Sequence, residues 1–205
     1  MAEFLHIHPI DPQQRLLKQA ANIIAGGGLV AYPTDSCYAL GCHLGDKSSM
    51  DRIRAIRQGN RDHHFTLVAR DLSQISEYAK IDNQQYRVIK NSTPGPFTFI
   101  LPAKRKVPRR IMHQRRKTIG LRIPKNKIVQ GLLDLLVEPI LSSTLILPGK
   151  ELPLGDPQNI YESLKHQVDL VIDGGHCGYE PTTVVDWRAD APEIIRQGKG
   201  DALFI

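Results

Sequence analysis

The chain has 205 residues, 41% hydrophobic and 23% charged, which suits one domain with a real core and leaves two domains cramped. No apolar run approaches the roughly 20 residues that a membrane span needs, and the opening MAEFLHIHPI lacks the charged-then-apolar layout of a signal peptide, so a cytoplasmic protein without a membrane partner is expected. The net charge of +6 comes from 27 Lys and Arg against 21 Asp and Glu, and three cysteines, Cys37, Cys42 and Cys177, are too few and odd in number for a disulfide framework.

Asp11-Pro12 reads as a helix start, Asp at the N-cap and Pro at the first helical position, with Leu16, Leu17, Ala20, Ile23 and Ile24 following at helical spacing. Gly26-Gly27-Gly28 ends that helix. These glycines precede a strand rather than follow one, so they form a C-cap and not a phosphate loop. Leu29, Val30, Ala31 and Tyr32 make a short strand that should stop near Pro33, because a residue before proline is pushed to extended geometry. Thr34, Asp35, Ser36 and Tyr38 then cluster at its carboxyl tip, where ligands bind in open α/β sheets. The same residue types favour turns for purely local reasons.

A second helix runs from about Ser48 to Gln58, with Met50, Ile53 and Ile56 on one face and Arg57 near its end. The polar stretch from Gly59 to His64 leads into a strand at Phe65 to Arg70, and Asp71 and Asp82 are N-caps for two more helices. TPGPFTFIL (Thr93 to Leu101) is a Pro-Gly turn into a strand, and TIGLRIP (Thr118 to Pro124) is another. Between them, KRKVPRRIMHQRRK holds Lys104, Arg105, Lys106, Arg109, Arg110, Arg115, Arg116 and Lys117 with no acid. Removing those eight cations from 27 leaves 19 against 21 acids, so the whole basic excess belongs to this connection. Such a run suits polyphosphate or nucleic acid, the alternative being a solvated, mobile loop.

Asn126 caps an apolar helix through Leu136, Pro139 to Ile146 is a buried strand, and Asp156-Pro157 begins a further helix. Strands at Asp169 to Ile172, Thr182 to Trp187 and Glu193 to Arg196 close the chain. Short-linked strands such as those near Thr98 and Thr182 imply antiparallel pairs, so the fold class is α/β: a single domain with a twisted, mixed parallel and antiparallel sheet and flanking helices.

Nucleophile elbows, HExxH, paired CxxC, P-loop and dinucleotide fingerprints are all absent, and Cys37, Cys42, His176 and Cys177 match no standard zinc spacing, so no metal site is expected. What remains is a set of Arg and Thr at strand ends and turns: Thr34, Arg57, Arg61, Thr98, Thr118, Arg122, Thr144, Thr182, Thr183 and Arg196. An arginine fork and threonine hydroxyls converging in one cleft would hold phosphate or carboxylate oxygens.

Six segments in order, PTDSCYALG, TPGPFTFIL, GLRIP, LSSTLILPG, TTVVD and IRQG, resemble the YrdC/YciO family across nearly the whole chain, and LSSTLILPG resembles its YciO branch. The resemblance implies a sheet folded around a basic cavity and binding of double-stranded RNA or tRNA. Its synthase branch makes L-threonylcarbamoyladenylate from threonine, bicarbonate and ATP with magnesium, and no tightly bound cofactor is implied. Carried over by position, Thr34, Tyr38, Ser142 and Thr182 or Thr183 would face threonine. Arg57, Arg61, Thr118, Arg122, Thr144 and Arg196 would hold ATP or AMP, with Arg57 and Arg61 as catalytic candidates, and the eight cations from Lys104 to Lys117 would meet RNA.

The chain also departs from the synthase pattern. Arg57-Gln58-Gly59 replaces a Lys-x-Arg pair, leaving Arg61 as the second cation, and Thr144-Leu145-Ile146 replaces Ser-Ala-Asn. Pro148-Gly149 stands in place of Ser-Gly. Each lost hydrogen bond to a charged ligand costs about 1.5 to 3 kcal/mol. Four readings stay open: a YciO-type RNA- and ligand-binding protein with weak or lost adenylate synthesis, a working synthase, an enzyme that removes or alters threonylcarbamoyl on tRNA, and a pure RNA-binding module.

Overall fold

The computed structural model describes residues 1–58, 65–113, 115–189 and 191–202. Along the first half run β1 (Glu3–His6), α1 (Gln14–Ala25), β2 (Val30–Tyr32), β3 (Ala39–His43), α2 (Lys47–Arg57), β4 (Thr66–Val68), α3 (Leu72–Tyr78) and α4 (Asn83–Ser92). The second half contributes β5 (Phe97–Pro102), β6 (Thr118–Arg122), α5 (Lys127–Leu135), β7 (Ile140–Thr144), α6 (Pro157–Leu164), β8 (Leu170–Asp173), β9 (Thr183–Asp186) and β10 (Glu193–Arg196). The strands form one mixed sheet in the order β1-β8-β2-β3-β7-β4-β6-β5-β9-β10, the single-domain α/β architecture expected from the sequence.

Helix starts follow their caps. Asp46, Asp71, Asp82, Asn126 and Asp156 each accept a backbone N–H from three residues on, and Asp82 with Gln85 completes a capping box. Asp11 is the exception, since α1 begins at Gln14 with Gln13 in the cap position and no side-chain cap. The reason is a competing turn: His8 Nδ1 accepts the Ile10 and Asp11 amides at 3.3 and 2.9 Å, and Gln13 Oε1 accepts the His8 amide at 3.1 Å.

Two strands were not legible. β1 pairs in parallel with β8, and β3 returns antiparallel to β2 with Tyr32 opposite Ala39, which makes Thr34–Cys37 a turn between paired strands. β5 is antiparallel to β6 and β9 to β10, but β3 and β4 are also antiparallel to the distant β7, and β5 and β9 run parallel to one another, with Thr98 beside Val184. The expectation from Thr98 and Thr182 holds for each strand's sequence-local partner and fails for the pair itself.

Alternation along the strands divides the molecule into two layers. Val30 and Tyr32 of β2, with Leu170 and Ile172 of β8, pack under α1 and α5, while Leu29, Ala31 and Val171 face the other layer with Met50, Ile53, Ile75, Ile89 and Ile160 from α2, α3, α4 and α6. In the half of the sheet formed by β7, β4, β6, β5 and β9, Leu141, Leu67, Leu121, Phe99 and Val185 all belong to the α2-side core. Their neighbours on the opposite face, Ser142, Thr66, Gly120, Thr98 and Val184, line a cavity instead. The α1/α5 layer covers only one half of its sheet face, and the uncovered half is the cavity floor.

Candidate functional site

The cavity has a volume of about 330 Å³, within the range of ligand pockets. Its floor is a row of cross-strand neighbours, Ser142, Thr66, Gly120 and Ile100. A Cβ at Gly120 would sit 3.1 Å from Thr66 Oγ1 and 3.4 Å from Thr98 Cγ2, so glycine keeps this floor open. Around the row stand the guanidinium-bearing side chains of Arg57, Arg116, Arg122 and Arg196, and none of the described lining residues is acidic.

Arg57 is the last residue of α2, which the left-handed Gln58 (φ 42°) terminates. Its Nη1 donates to Ser143 Oγ at 3.1 Å and to the Thr144 carbonyl, while its buried Nε has no hydrogen-bond partner among the described residues. Burial lowers the Arg57 pKa from its usual value, the expected cost of a cation held away from water. Arg122 ends β6 almost fully buried. Its Nη2 serves the turn after β2, donating to Ser36 Oγ at 3.0 Å, Thr34 Oγ1 at 3.2 Å and the Asp35 carboxylate, and its Nε is likewise buried without a partner.

Arg196 ends β10 and rests on Thr182, donating from Nε and Nη2 to the Thr182 carbonyl at 3.1 and 2.9 Å and from Nη2 to Thr182 Oγ1 at 3.2 Å. Burial lowers its pKa; the Cys37 thiol opposes that shift and the charge of Arg122 adds to it. The buried guanidinium of Arg122 and the exposed one of Arg196, which feel each other's charge, the orphaned Nε–H donors of Arg57 and Arg122 and a surround of hydroxyls form a receptor for an oxyanion.

The residues expected at the threonine end divide. Tyr38, Ser142 and Thr182 line the cavity. Tyr38 Oη donates to the Gly175 carbonyl at 2.9 Å and accepts the Gly174 amide at 3.4 Å, and burial raises its pKa. Ser142 Oγ lies 2.6 Å from Tyr32 Oη, whose pKa burial pushes up to about 12. Thr34 and Thr183 are not brought to the cavity wall. Thr34 Oγ1 is the hub of its own turn, donating to the Cys37 carbonyl at 2.6 Å and accepting the Ser36 and Cys37 amides at 3.1 and 3.2 Å. Thr183 is fully buried on the opposite strand face, with its hydroxyl donating to the Gly200 carbonyl at 2.6 Å.

At the nucleotide end, Arg57, Thr118, Arg122, Thr144 and Arg196 all line the cavity, whereas Arg61 and Gly59 lie outside the described residues. Sequence reasoning missed His113 and Ser143 as lining residues; the doubled serine of LSSTLILPG was the available signal for the second. Ile146 also lines the cavity, while Leu145 is buried in the core.

All eight cations of the β5–β6 connection are exposed, yet the segment is no loose loop. Val107 and Ile111, 2% and 5% exposed, are anchored in the core. Lys104 Nζ donates to the Ser76 carbonyl at 2.5 Å, and Lys106 pairs with Glu77 while lying 4.7 Å from the Tyr78 ring centroid. Arg116 belongs to both surfaces, an exposed member of the basic segment and a cavity-lining side chain.

Comparison with known proteins agrees with this architecture. The family model for Sua5, YciO and YrdC, described as telomere recombination, matches residues 22–198. A relative from Haemophilus influenzae is 55% identical over 98% of this chain and 97% of its own length, and the YciO protein of Escherichia coli K12 is 52% identical over 98% of each. Among solved structures, E. coli YciO aligns with a TM-score of 0.95 over 98% of each chain at 52% identity. P. abyssi Sua5 complexed with L-threonine aligns with a TM-score of 0.87 at 27% identity, over 95% of this chain and 57% of that one. With a family model spanning most of its length and relatives above half identity end to end, the chain belongs to the Sua5/YciO/YrdC family.

Proposed function

We propose that this chain is a YciO-type RNA-binding protein whose cavity holds a threonine-like or nucleotide ligand next to double-stranded RNA or tRNA, with adenylate synthesis weak or lost. The observation that carries the reading is Arg116, exposed on the basic segment and at the same time on the wall of a cavity whose described lining carries four arginines. An RNA phosphate on the segment and an anionic ligand in the cavity would share one cation. The likeness to a Sua5 solved with L-threonine supports the amino-acid part, because a threonine carboxylate suits the orphaned Nε–H donors of Arg57 and Arg122.

ATP or AMP is the nucleotide proposed, without a tightly bound cofactor. Guanidinium and hydroxyl donors do not fit a resident magnesium ion, which prefers carboxylate, carbonyl and water oxygens. Magnesium would enter only as the counter-ion of a bound triphosphate. Weak synthesis is argued from Ile146, an aliphatic side chain on the cavity wall where the synthase pattern has an amide. Localisation in the cytoplasm is proposed on the same basis as the RNA partner; among the described residues no helix is long and apolar enough to cross a membrane.

Calorimetry with threonine, AMP, ATP and a tRNA, each alone and then together with bicarbonate and magnesium, tests the reading. Arg116→Ala should weaken both tRNA and small-ligand binding, whereas Arg105→Ala should weaken only tRNA and flatten its salt dependence by about one phosphate. Mutually enhanced ATP and threonine binding with pyrophosphate release would replace this reading with a working synthase. Loss of threonylcarbamoyl from modified tRNA without ATP would replace it with an enzyme acting on the modification, and tRNA binding with no small ligand would leave an RNA-binding module.

A further inference from the structure

Arg196 ends a strand that cannot fix it unaided. β10 is exposed at all four residues, pairs with β9 along one edge only, and slips register between Ile194 and Arg196. A guanidinium on such an edge would sample many positions and lose affinity for an anion through the entropy of fixing it. Yet Arg196 is held against Thr182 by three contacts of 2.9 to 3.2 Å.

The order comes from residues 196–200, which fold back as a strap over Pro181–Thr183. The Lys199 amide donates to the Pro181 carbonyl at 2.9 Å, and the Gly198 amide donates to Thr183 Oγ1 at 2.9 Å. Thr183 Oγ1 in turn donates to the Gly200 carbonyl at 2.6 Å, and Gln197 Nε2 donates to the same carbonyl at 2.8 Å. The approach is so close that a Cβ on Gly198 would lie 2.6 Å from the Thr182 carbonyl carbon and oxygen, so only glycine fits. Lys199 Nζ then reaches the Asp35 carbonyl at 2.5 Å, and the Asp35 carboxylate pairs with Arg122. The strap therefore ties the Arg196 side of the cavity to the Arg122 side.

We propose that Thr183 is the positioning residue for Arg196: its buried hydroxyl clamps the strap from both sides, and the anion affinity of the cavity depends on a hydroxyl that no ligand touches. This inference rests on the cavity being an oxyanion site, as proposed above. It also gives a second role to the paired threonines of TTVVD. Thr182 faces the cavity under the guanidinium, and Thr183, one residue on and therefore on the other strand face, holds the segment that delivers it.

Calorimetric titration of inorganic pyrophosphate into the full chain tests the idea with Arg196→Ala, Thr183→Val, Thr183→Ser and the double variant Arg196→Ala/Thr183→Val. Arg196→Ala should weaken binding about 10- to 100-fold, as expected for losing hydrogen bonds to a charged ligand. Thr183→Val should reproduce most of that loss, Thr183→Ser should restore binding to within about threefold of the parent, and the double variant should be no worse than Arg196→Ala alone, the non-additivity of residues acting as one unit. A purely structural role for Thr183 would lower the melting temperature without this pattern. Should Thr183→Val fail to fold, Gln197→Ala removes a strap bond from the surface and should still weaken pyrophosphate binding about threefold or more. Parent-like affinity in Thr183→Val or in a folded Gln197→Ala, or additive losses in the double variant, overturns the proposal. An Arg196→Ala variant that binds pyrophosphate as the parent does overturns the oxyanion reading of the cavity, and this inference with it.

Discussion

Asp35 and Arg122 form an ion pair with both side chains close to nine-tenths buried, 10% and 9% exposed. A buried pair adds little net stability, because desolvation offsets attraction, but removing one partner strands the other charge. Arg122→Ala should therefore destabilise the protein by about 3 to 5 kcal/mol, and adding Asp35→Ala should recover part of that loss. Chemical denaturation of both variants is the check, and a single-variant cost below about 1 kcal/mol would show the pair to be solvated. Arg122 thus has two duties that its sequence position cannot separate: Nη2 builds the Thr34–Cys37 turn, while Nε is left buried and unpartnered beside the cavity. The threonines make the same point. Thr182 and Thr183 are identical in type and adjacent, and only the pleat of β9 decides that one meets the cavity and the other meets the strap.

At the scale of elements, the β5–β6 connection is where composition alone misleads. Eight cations by composition alone leave a solvated loop open beside a phosphate-binding run, but Val107 and Ile111 four residues apart place apolar side chains under the charges. The amides of Val107, Ile111 and His113 donate to the carbonyls of Lys104, Pro108 and Thr118 at 3.1, 3.1 and 2.9 Å. Native-state hydrogen exchange should show these three amides protected. Exchange at random-coil rates at all three would mean that the segment is mobile after all. Val107→Ala should lower global stability by about 1 to 3 kcal/mol, as for other large-to-small core changes. Helix starts were legible because a cap is a local bond, Asp or Asn to an amide three residues on. Asp11 misled because His8 and Gln13, equally local, take its region into a different turn.

At the scale of the molecule, three buried groups make stability depend on alkaline pH. Burial pushes the Cys42 thiol up to about 12, the Cys177 thiol to about 11 and the Tyr32 hydroxyl to about 12, from ordinary values of 9.0 for the thiols and 10.0 for the phenol. Below pH 9 these groups are protonated in both states and their contribution is fully present. Above pH 9 the unfolded chain ionises while the folded chain does not, so stability falls as pH rises through the folded values. Thermal melts between pH 7.5 and 10.5 should be level up to about pH 9 and decline beyond it, less steeply in Cys42→Ala. A melting temperature that stays constant to pH 10.5 would show these groups to be reached by water.

What the sequence determined by itself was what local forces set: four capped helix starts, at Asp71, Asp82, Asn126 and Asp156, the alternation of helix and strand, the α/β class, one concentrated run of cations, and six motifs that lead to the family. The tertiary structure decided what depends on partners distant in the chain. β1 and β3 became strands only through pairing, β5 met β9 in parallel across more than eighty residues, and α1 and α5 covered one half of a sheet face while leaving the other half open. Strand parity then sorted the hydroxyls of Thr182 and Thr183 into cavity wall and strap anchor, while Thr34, off the strand, became the hub of its turn. A residue's type fixes which bonds it can make; which of them it makes depends on the face of the sheet it occupies and on what packs, or does not pack, against that face.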